Sequence, residues 1–228
     1  GTALMSKLRP DGWITGIDCE EFDQEGRQIG AILDNRIVTC TYAPTAGVDC
    51  AFLDKTMRFW DAKTKATLTM ADLGYDEQGF GDLNIIRSLE DDCGSQTVYH
   101  DGKFIERSST TEIERELLRE YLVKTQMMDY HDVKLKGSKY FTYFHTLKDR
   151  DRRDGLRIDY FYGRILDWTE RDSCCPVVRH DLPGDDHLPL QCSLPHKRHA
   201  RKIRDDDYEN DLRGYQSRRH MLNQLNPA

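Results

Sequence analysis

Two short motifs near the carboxyl end of the sequence constrain its fold more than any other feature. The first, Gly-Leu-Arg-Ile-Asp-Tyr-Phe at 155–161, is typical of a buried strand that carries one acidic residue, Asp159. The second is a Pro-Gly turn that places Asp185, Asp186 and His187 at the start of a predicted final strand, residues 188–194. Aspartates and a histidine at neighbouring strand ends can keep imidazole charged, as a phosphodiester transition state requires. Ordinary surface turn residues are the alternative interpretation.

Together the two motifs resemble the exonuclease III / abasic-site (AP) endonuclease family of the endonuclease-exonuclease-phosphatase superfamily. That family has a Gly-x-Arg-Leu/Ile-Asp strand followed later by a Ser-Asp-His turn, and here Asp185 stands in the position of the Ser. The resemblance implies an α/β (α+β) fold, namely an incomplete four-layer α/β/β/α sandwich with mixed, mainly antiparallel strands. It also implies a hydrolase that cuts DNA during repair.

Two further motifs extend the resemblance. Tyr-Ala-Pro-Thr begins at Tyr42 where the family has Tyr-x-Pro-Asn, so Thr45 stands in the position of the Asn. Gly-Asp-Leu-Asn at 81–84 matches the family's Gly-Asp-x-Asn strand end. The resemblance implies that Asp82 positions or deprotonates the attacking water, since a partly desolvated carboxylate is a competent base. It implies that Tyr42 and Asn84 orient the scissile phosphate.

The resemblance therefore implies a complete set of candidate site residues. The implied catalytic residues are Asp82, Asn84, Asp159, His187 and Tyr42. The implied cofactor is Mg²⁺, contacted in this chain by Asp186, with its main glutamate ligand in an amino-terminal Gln-Glu-Thr motif that this sequence lacks. The implied substrate contacts are Thr45, Tyr143 and Leu156, and the implied substrate is a DNA duplex with an abasic site.

The position of the catalytic aspartate has two possible registers. A central strand is normally apolar, but the residues before Asp82 read Tyr-Asp-Glu-Gln-Gly at 75–79. The alternative register places residues 68–70 in the strand and Asp72 at its tip, and loses the Asn of the motif. We favour Asp82 and keep Asp72 as the alternative.

Hydrophobic patterning predicts the remaining elements. Short strands are expected at 2–7 and 13–17, a hairpin at 27–33 and 36–42, and an aromatic strand at 140–147. A polar loop is expected at 89–109 and a charged loop at 148–154. The helix predicted at 52–70 has the apolar stripe Leu53, Met57, Trp60, Thr64 and Leu68, with Lys63 on its solvated side.

A second helix is predicted at 112–126. Thr110 or Thr111 with Glu114 forms a capping signature at its start. Its expected inner stripe consists of Ile113, Leu117, Tyr121 and Leu122.

Composition limits the class of protein. A net charge of −7 argues against a nonspecific nucleic-acid binder held by overall charge, although a local basic groove remains compatible with it. The seven cysteines lack metal-ligand spacing and indicate a reducing, intracellular compartment, with nucleus, mitochondrion or another organelle left open. No apolar run is long enough to span a membrane.

The resemblance covers residues 1–194, which we expect to form an endonuclease-exonuclease-phosphatase-like domain lacking its amino-terminal portion. Residues 195–228 are a charged tail, expected to be a partner-docked helix or disordered. Three interpretations stay open: a nuclease fragment, a split protein, or a catalytically inactive subunit of a larger, organellar or ribonucleoprotein assembly. In the last case, protein or ribonucleoprotein partners would bind the exposed half-sandwich and the tail.

Overall fold

The computed structural model describes residues 1–33, 36–93, 98–100, 103–105, 107–131, 140–164, 176–182 and 186–193. The predictions for Asp185, for the Pro-Gly turn and for the tail at 195–228 lie outside these residues. Within them, no helix is long and apolar enough to cross a membrane.

Ten short strands and four α-helices lie wholly within the described residues. The strands are β1 (Gly12–Thr15), β2 (Gln28–Leu33), β3 (Arg36–Thr41), β4 (Asp76–Asp82), β5 (Val98–His100), β6 (Lys103–Ile105), β7 (Met128–Asp129), β8 (Asp159–Gly163), β9 (Val177–Val178) and β10 (Leu190–Gln191). The helices are α1 (Glu20–Asp23), α2 (Leu53–Asp72), α3 (Glu112–Lys124) and α4 (Leu147–Arg152). Single turns of 3₁₀-helix lie at Val48–Cys50 and Leu89–Asp91.

Six strands form one mixed sheet in the order β1-β2-β3-β4-β8-β7. The predicted hairpin is confirmed, since β2 and β3 pair antiparallel with Leu33 opposite Arg36. Strands β3 and β4 are parallel, whereas β4 and β8 are antiparallel. The carboxyl ends of the central strands β3 and β4 and the start of β8 therefore lie side by side at one end of the sheet, and this geometry positions the candidate site.

The main hydrophobic core lies between this sheet and helices α2 and α3. Phe59 and Trp60 of α2 pack with Tyr121 of α3 and with Tyr160 and Tyr162 of β8. Phe22 and Trp60 both contact the ring of Phe59 edge-on, as aromatic rings prefer. A mixed sheet with helices packed on it confirms the predicted α/β class.

The central strand β4 corrects the expectation that a central strand must be apolar. Glu77 is buried, forms an ion pair with the equally buried Lys63 of α2, and accepts hydrogen bonds from Thr39 (2.7 Å) and Thr67 (2.8 Å). A buried charge is tolerated where it is paired and hydrogen-bonded. The register question is settled in favour of Asp82, which ends β4, because Asp72 is the last residue of α2.

Helix α2 is confirmed, but its buried stripe differs from the predicted one. Met57 and Leu68 are exposed, and Lys63 lies in the core rather than in solvent. The buried face consists of Thr56, Phe59, Trp60, Lys63 and Thr67. This orientation of the helix places Lys63 and Thr67 against the buried Glu77, a polar contact that apolar periodicity cannot predict.

Helix α3 begins as predicted. The side chains of Thr111 and Glu114 each accept from the other residue's backbone N–H, which is a capping box. Its buried face includes Leu118, Tyr121 and Leu122, whereas Ile113 is half exposed and was assigned wrongly to the inner stripe.

Other predictions need correction. Residues 2–7 form no strand, although Thr2 donates to Gly26 O (3.0 Å). Hairpin β5-β6 lies inside the predicted polar loop at 89–109, and α4 occupies much of the charged loop at 148–154. Within 140–147, Tyr143 makes isolated bridges to Leu156 and His187 in place of a continuous strand. Strand structure in 188–193 is restricted to β10.

Candidate active site

Two aspartates lie side by side on neighbouring strands at this end of the sheet. Asp82 ends β4, Asp159 begins β8, and the two are directly paired in the antiparallel register. The preceding Gly81 has φ +135°, and a Cβ there would lie 2.0 Å from the carbonyl oxygen of Thr41 on β3. Only glycine allows this approach, so it brings the end of β3 against Asp82.

His187 completes a cluster with these aspartates. Its Nδ1 lies 2.9 Å from Asp159 Oδ2, which is hydrogen-bond distance. Its Nε2 lies 3.9 Å from Asp82 Oδ2. This second distance is too long for a direct hydrogen bond, so His187 Nε2 and the Asp82 carboxyl group can both contact a substrate group that lies between them.

The cluster gives Asp82 and His187 different pKa values. Burial and the neighbouring Asp159 charge raise the pKa of Asp82 to about 7, even though the charge of His187 acts in the opposite direction. Burial alone would lower the pKa of His187, but the hydrogen bond and charge of Asp159 raise it to about 9. Near neutral pH the site therefore holds an imidazolium beside a carboxyl group that gains and loses a proton readily.

Asn84 fixes the orientation of Asp82. Its backbone N–H donates to Asp82 Oδ1 (2.8 Å), and its side-chain Nδ2 donates to Ala43 O (2.9 Å). The residue has φ +54°, a left-handed conformation that asparagine adopts more easily than most residues. The amide thus ties the end of β4 to the chain that follows β3.

Tyr42 and Thr45 lie on that same chain. Ala43 N–H donates to Asp82 O (2.9 Å), which places the half-exposed Tyr42 beside the end of β4. The Arg27 guanidinium lies 5.2 Å from the centre of the Tyr42 ring, within cation–π range. Thr45 Oγ1 pairs instead with Ser108 Oγ at 2.7 Å. Phosphate contact by Tyr42 or Thr45 stays a prediction.

Tyr143 forms a wall of the site. Its ring centre lies 5.0 Å from that of His187, and its hydroxyl lies 2.8 Å from His145 Nδ1.

Leu156 is 6% exposed and packs in a cluster with Ile86. It therefore lies beneath Tyr143 rather than at the surface, and substrate contact by Leu156 stays a prediction. Sequence reasoning missed His145, although its spacing of two from Tyr143 is the signal for a shared face of an extended segment.

A buried ion cluster, also missed from the sequence, supports the start of β8. Arg157 Nε donates to Asp91 Oδ1 (2.7 Å), and its Nη1 donates to Asp129 Oδ2 (2.6 Å). Burial would raise the pKa of Asp129, but the charges of Arg157 and His131 offset this and lower the pKa to about 2. The available signal was the position of Arg157 two residues before Asp159, on the same face of the chain.

The described residues do not by themselves fit a Mg²⁺ site. No group of three potential ligands occurs among the described His, Cys, Asp and Glu side chains. Asp159 Oδ2 is bonded to His187 and Asp82 Oδ1 accepts from Asn84, while the exposed Asp186 uses its carbonyl oxygen to accept from Phe144 N (2.8 Å). A metal contact by Asp186 stays a prediction.

Solved structures show which class of fold this is. A 3′-5′ exonuclease from Neisseria meningitidis superposes with a TM-score of 0.66 at 17% identity, covering 83% of this chain and 73% of its own. An AP endonuclease from Archaeoglobus fulgidus gives a TM-score of 0.66 at 17% identity, covering 82% and 72%. The chain has the endonuclease-exonuclease-phosphatase type of α/β fold.

Sequence relatives confirm the particular resemblance. An exodeoxyribonuclease of Bacillus subtilis is 28% identical over 193 residues, which is 84% of this chain and 73% of that protein. A DNA-(apurinic or apyrimidinic site) endonuclease of Dictyostelium discoideum is 27% identical over 194 residues, which is 83% of this chain and 51% of that protein. No family model matches the chain. Homologues named exodeoxyribonuclease and AP endonuclease thus cover most of the chain.

Proposed function

We propose that this chain carries the hydrolytic centre of a DNA phosphodiesterase that cuts on the 5′ side of an abasic sugar. The observation that supports this most is the Asp82–His187–Asp159 cluster, in which a carboxyl with a pKa of about 7 faces a stabilised imidazolium. A base near neutral pH and a fixed cation are the two groups that phosphodiester hydrolysis needs.

Each group has a defined task in the proposed reaction. Asp82 accepts a proton from water as the water oxygen attacks phosphorus. The bond from phosphorus to O3′ breaks with its electron pair on O3′, which takes a proton from bulk water to give a 3′-hydroxyl end and leaves a 5′-phosphate end. His187 donates a hydrogen bond from Nε2 to a non-bridging phosphate oxygen, whose negative charge grows in the transition state. Asp159 keeps the imidazole charged and oriented through Nδ1. Asn84 holds Asp82 in place.

The substrate class rests on the relatives. The Dictyostelium protein is named for cleavage at apurinic or apyrimidinic sites, and a Neisseria 3′ phosphatase of the same fold has been solved with a product DNA hairpin. In this chain, the ring of Tyr143 beside His187 offers an apolar surface for an extruded sugar.

The decisive experiment is incision of a DNA duplex with one abasic site in Mg²⁺ buffer. The chain is assayed alone and with the amino-terminal segment of a relative supplied in trans. Incision on the 5′ side is expected, with a loss of about 100-fold or more in His187→Ala and in Asp82→Ala. His180→Ala is the matched control, because this histidine is exposed and its hydrogen bonds to other described residues use its backbone N–H and carbonyl.

The outcomes separate the proposal from its alternative. Incision that survives His187→Ala contradicts the assigned site. A folded chain that fails to incise in both arms of the assay supports the catalytically inactive, structural role.

A further inference from the structure

Thr142 is a fully buried residue that links the two segments carrying the histidine–aspartate couple. Its hydroxyl oxygen accepts the backbone N–H of Ile158 (3.2 Å) and of Asp159 (3.1 Å). Its carbonyl oxygen accepts the backbone N–H of Leu188 (2.8 Å), the residue after His187. The hydroxyl and the backbone carbonyl of Thr142 therefore bind both segments, one at Asp159 and the other at the residue next to His187.

The location of Thr142 explains why the start of β8 needs such a link. At Asp159, one edge of β8 is paired with β4 through Asp82. The other neighbour, β7, pairs with Tyr162 and Gly163 and does not reach Asp159. The Thr142 hydroxyl takes up the backbone donors of β8 where β7 has ended. Asp159 is therefore held from both sides.

We propose that Thr142 is a positioning residue for the candidate active site. Its hydroxyl fixes the backbone of Asp159, and its carbonyl fixes the backbone beside His187, so that Nδ1 and Oδ2 meet at hydrogen-bond distance. This inference rests on the proposed function for its catalytic consequence, but its structural consequence can be measured without substrate.

The chemistry requires a hydroxyl at this position. A hydroxyl oxygen has two lone pairs and can accept from two N–H groups, whereas the methyl group of an isosteric valine accepts from neither. Thr142→Val therefore leaves two buried N–H groups unsatisfied and lets the first residue of β8 move toward other acceptors. Thr142→Ser keeps the acceptor and removes only the methyl group.

The test uses the full chain labelled with ¹⁵N-histidine, at one fixed pH near neutral. The signal followed is the downfield Nδ1–H proton that His187 shares with Asp159, assigned by its loss in His187→Gln. The parent chain and Thr142→Ser are expected to show this signal, and Thr142→Val is expected to lose it. In the incision assay, Thr142→Val is expected to lower kcat by about 100-fold with little change in KM, since small misplacements of catalytic groups have effects of this size. Thr142→Ser is expected to restore kcat.

Thr125→Val is the matched control. Thr125 is also fully buried, and its hydroxyl donates to Tyr121 O (2.6 Å) at the end of α3, away from the site. This variant is expected to lose stability but to keep the His187 signal and kcat.

Four results decide between these outcomes. A folded Thr142→Val that keeps both the signal and kcat overturns the proposal. If Thr142→Val does not fold, a folded Thr142→Ser without the signal overturns it, and one with the signal supports it. If Thr142→Val loses the signal that the parent chain shows, but the parent chain incises DNA neither alone nor with the amino-terminal segment in trans, the proposed function fails while the positioning role stands.

Discussion

At the scale of single residues, the candidate site works because one environment pushes two groups in useful directions. Asp82 and His187 share Asp159 as a neighbour, but its negative charge raises the pKa of a carboxyl by repulsion and that of an imidazole by attraction. A base and a cation result from the same charge. Pairs of titratable groups tuned in this way are characteristic of acid–base sites.

The first prediction concerns the pH dependence of incision. The rate constant kcat/KM is expected to rise as pH passes about 7, where Asp82 loses its proton, and to fall above about 9, where His187 loses its own. Asp159→Asn is expected to move the upper limb to lower pH, since it removes the charge that stabilises imidazolium. An upper limb that stays in place in this variant would rule out His187 as its origin.

The second prediction concerns acid stability. The pKa of Asp129 is about 2 in the folded chain against 3.8 for a free carboxyl, so its contribution to stability is present above about pH 4 and is lost as pH falls toward 2. Asp129→Asn is expected to lower the free energy of unfolding at pH 7 by roughly 2–3 kcal/mol. Urea unfolding between pH 7 and pH 3 should show the gap to the parent chain closing as pH falls.

Asp181→Asn is the control for this measurement. Asp181 also pairs with an arginine, Arg179 (2.6 Å), and its pKa is also lowered to about 2, but it is exposed. Exposed ion pairs contribute little to stability. If Asp181→Asn costs as much as Asp129→Asn, burial of the Arg157 cluster is not the cause.

At the scale of elements, the sequence predicts strand ends better than strand interiors. The Gly-Asp-x-Asn and Arg-Ile-Asp motifs predict the end of β4 at Asp82 and an acidic residue at the start of β8, Asp159, because turn and backbone requirements are local. The interior of β4 was misjudged, because what makes Glu77 tolerable is Lys63 from a distant helix. The link made by Thr142 and the buried partners of Arg157 were missed for the same reason, since these contacts join residues far apart in sequence.

The third prediction tests this buried pair. Lys63→Met is expected to lower the free energy of unfolding by about 3–5 kcal/mol, because it leaves the buried carboxylate of Glu77 without its counter-ion. Adding Glu77→Met is expected to recover most of the loss, since neither charge then remains buried. Lys65→Met on the same helix is the control, as Lys65 is exposed and pairs with Asp61 on the surface. Equal losses in Lys63→Met and Lys65→Met, measured by urea unfolding, would contradict the role given to Glu77.

At the scale of the whole molecule, one six-stranded sheet with α2 and α3 provides a core and presents the candidate site at one edge. The chain spans 73% of the Bacillus relative and 51% of the Dictyostelium one. The class of fold could be predicted from the motifs, because their order along the chain matches the order of strand ends at that edge. The two-stranded sheet formed by β9 and β10 could not be predicted in detail, since short strands have weak periodic patterns.

The fourth prediction concerns the carboxyl-terminal tail. Among the residues that the structure describes, the hydrophobic clusters include Trp60, Tyr121 and Leu188, whereas residues 200–228 are rich in charge and have few apolar side chains. Deleting residues 200–228 is therefore expected to leave the midpoint and slope of urea unfolding unchanged, because both depend on the surface buried in these clusters. It is expected to weaken binding of a protein partner.

A shorter chain that ends at Asp186 is the control for this deletion. It removes Leu188, which is 4% exposed and packs against Phe144, and it should unfold at markedly lower urea. If the deletion of 200–228 unfolds the chain to the same extent, the tail is part of the core and cannot be a separate docking segment.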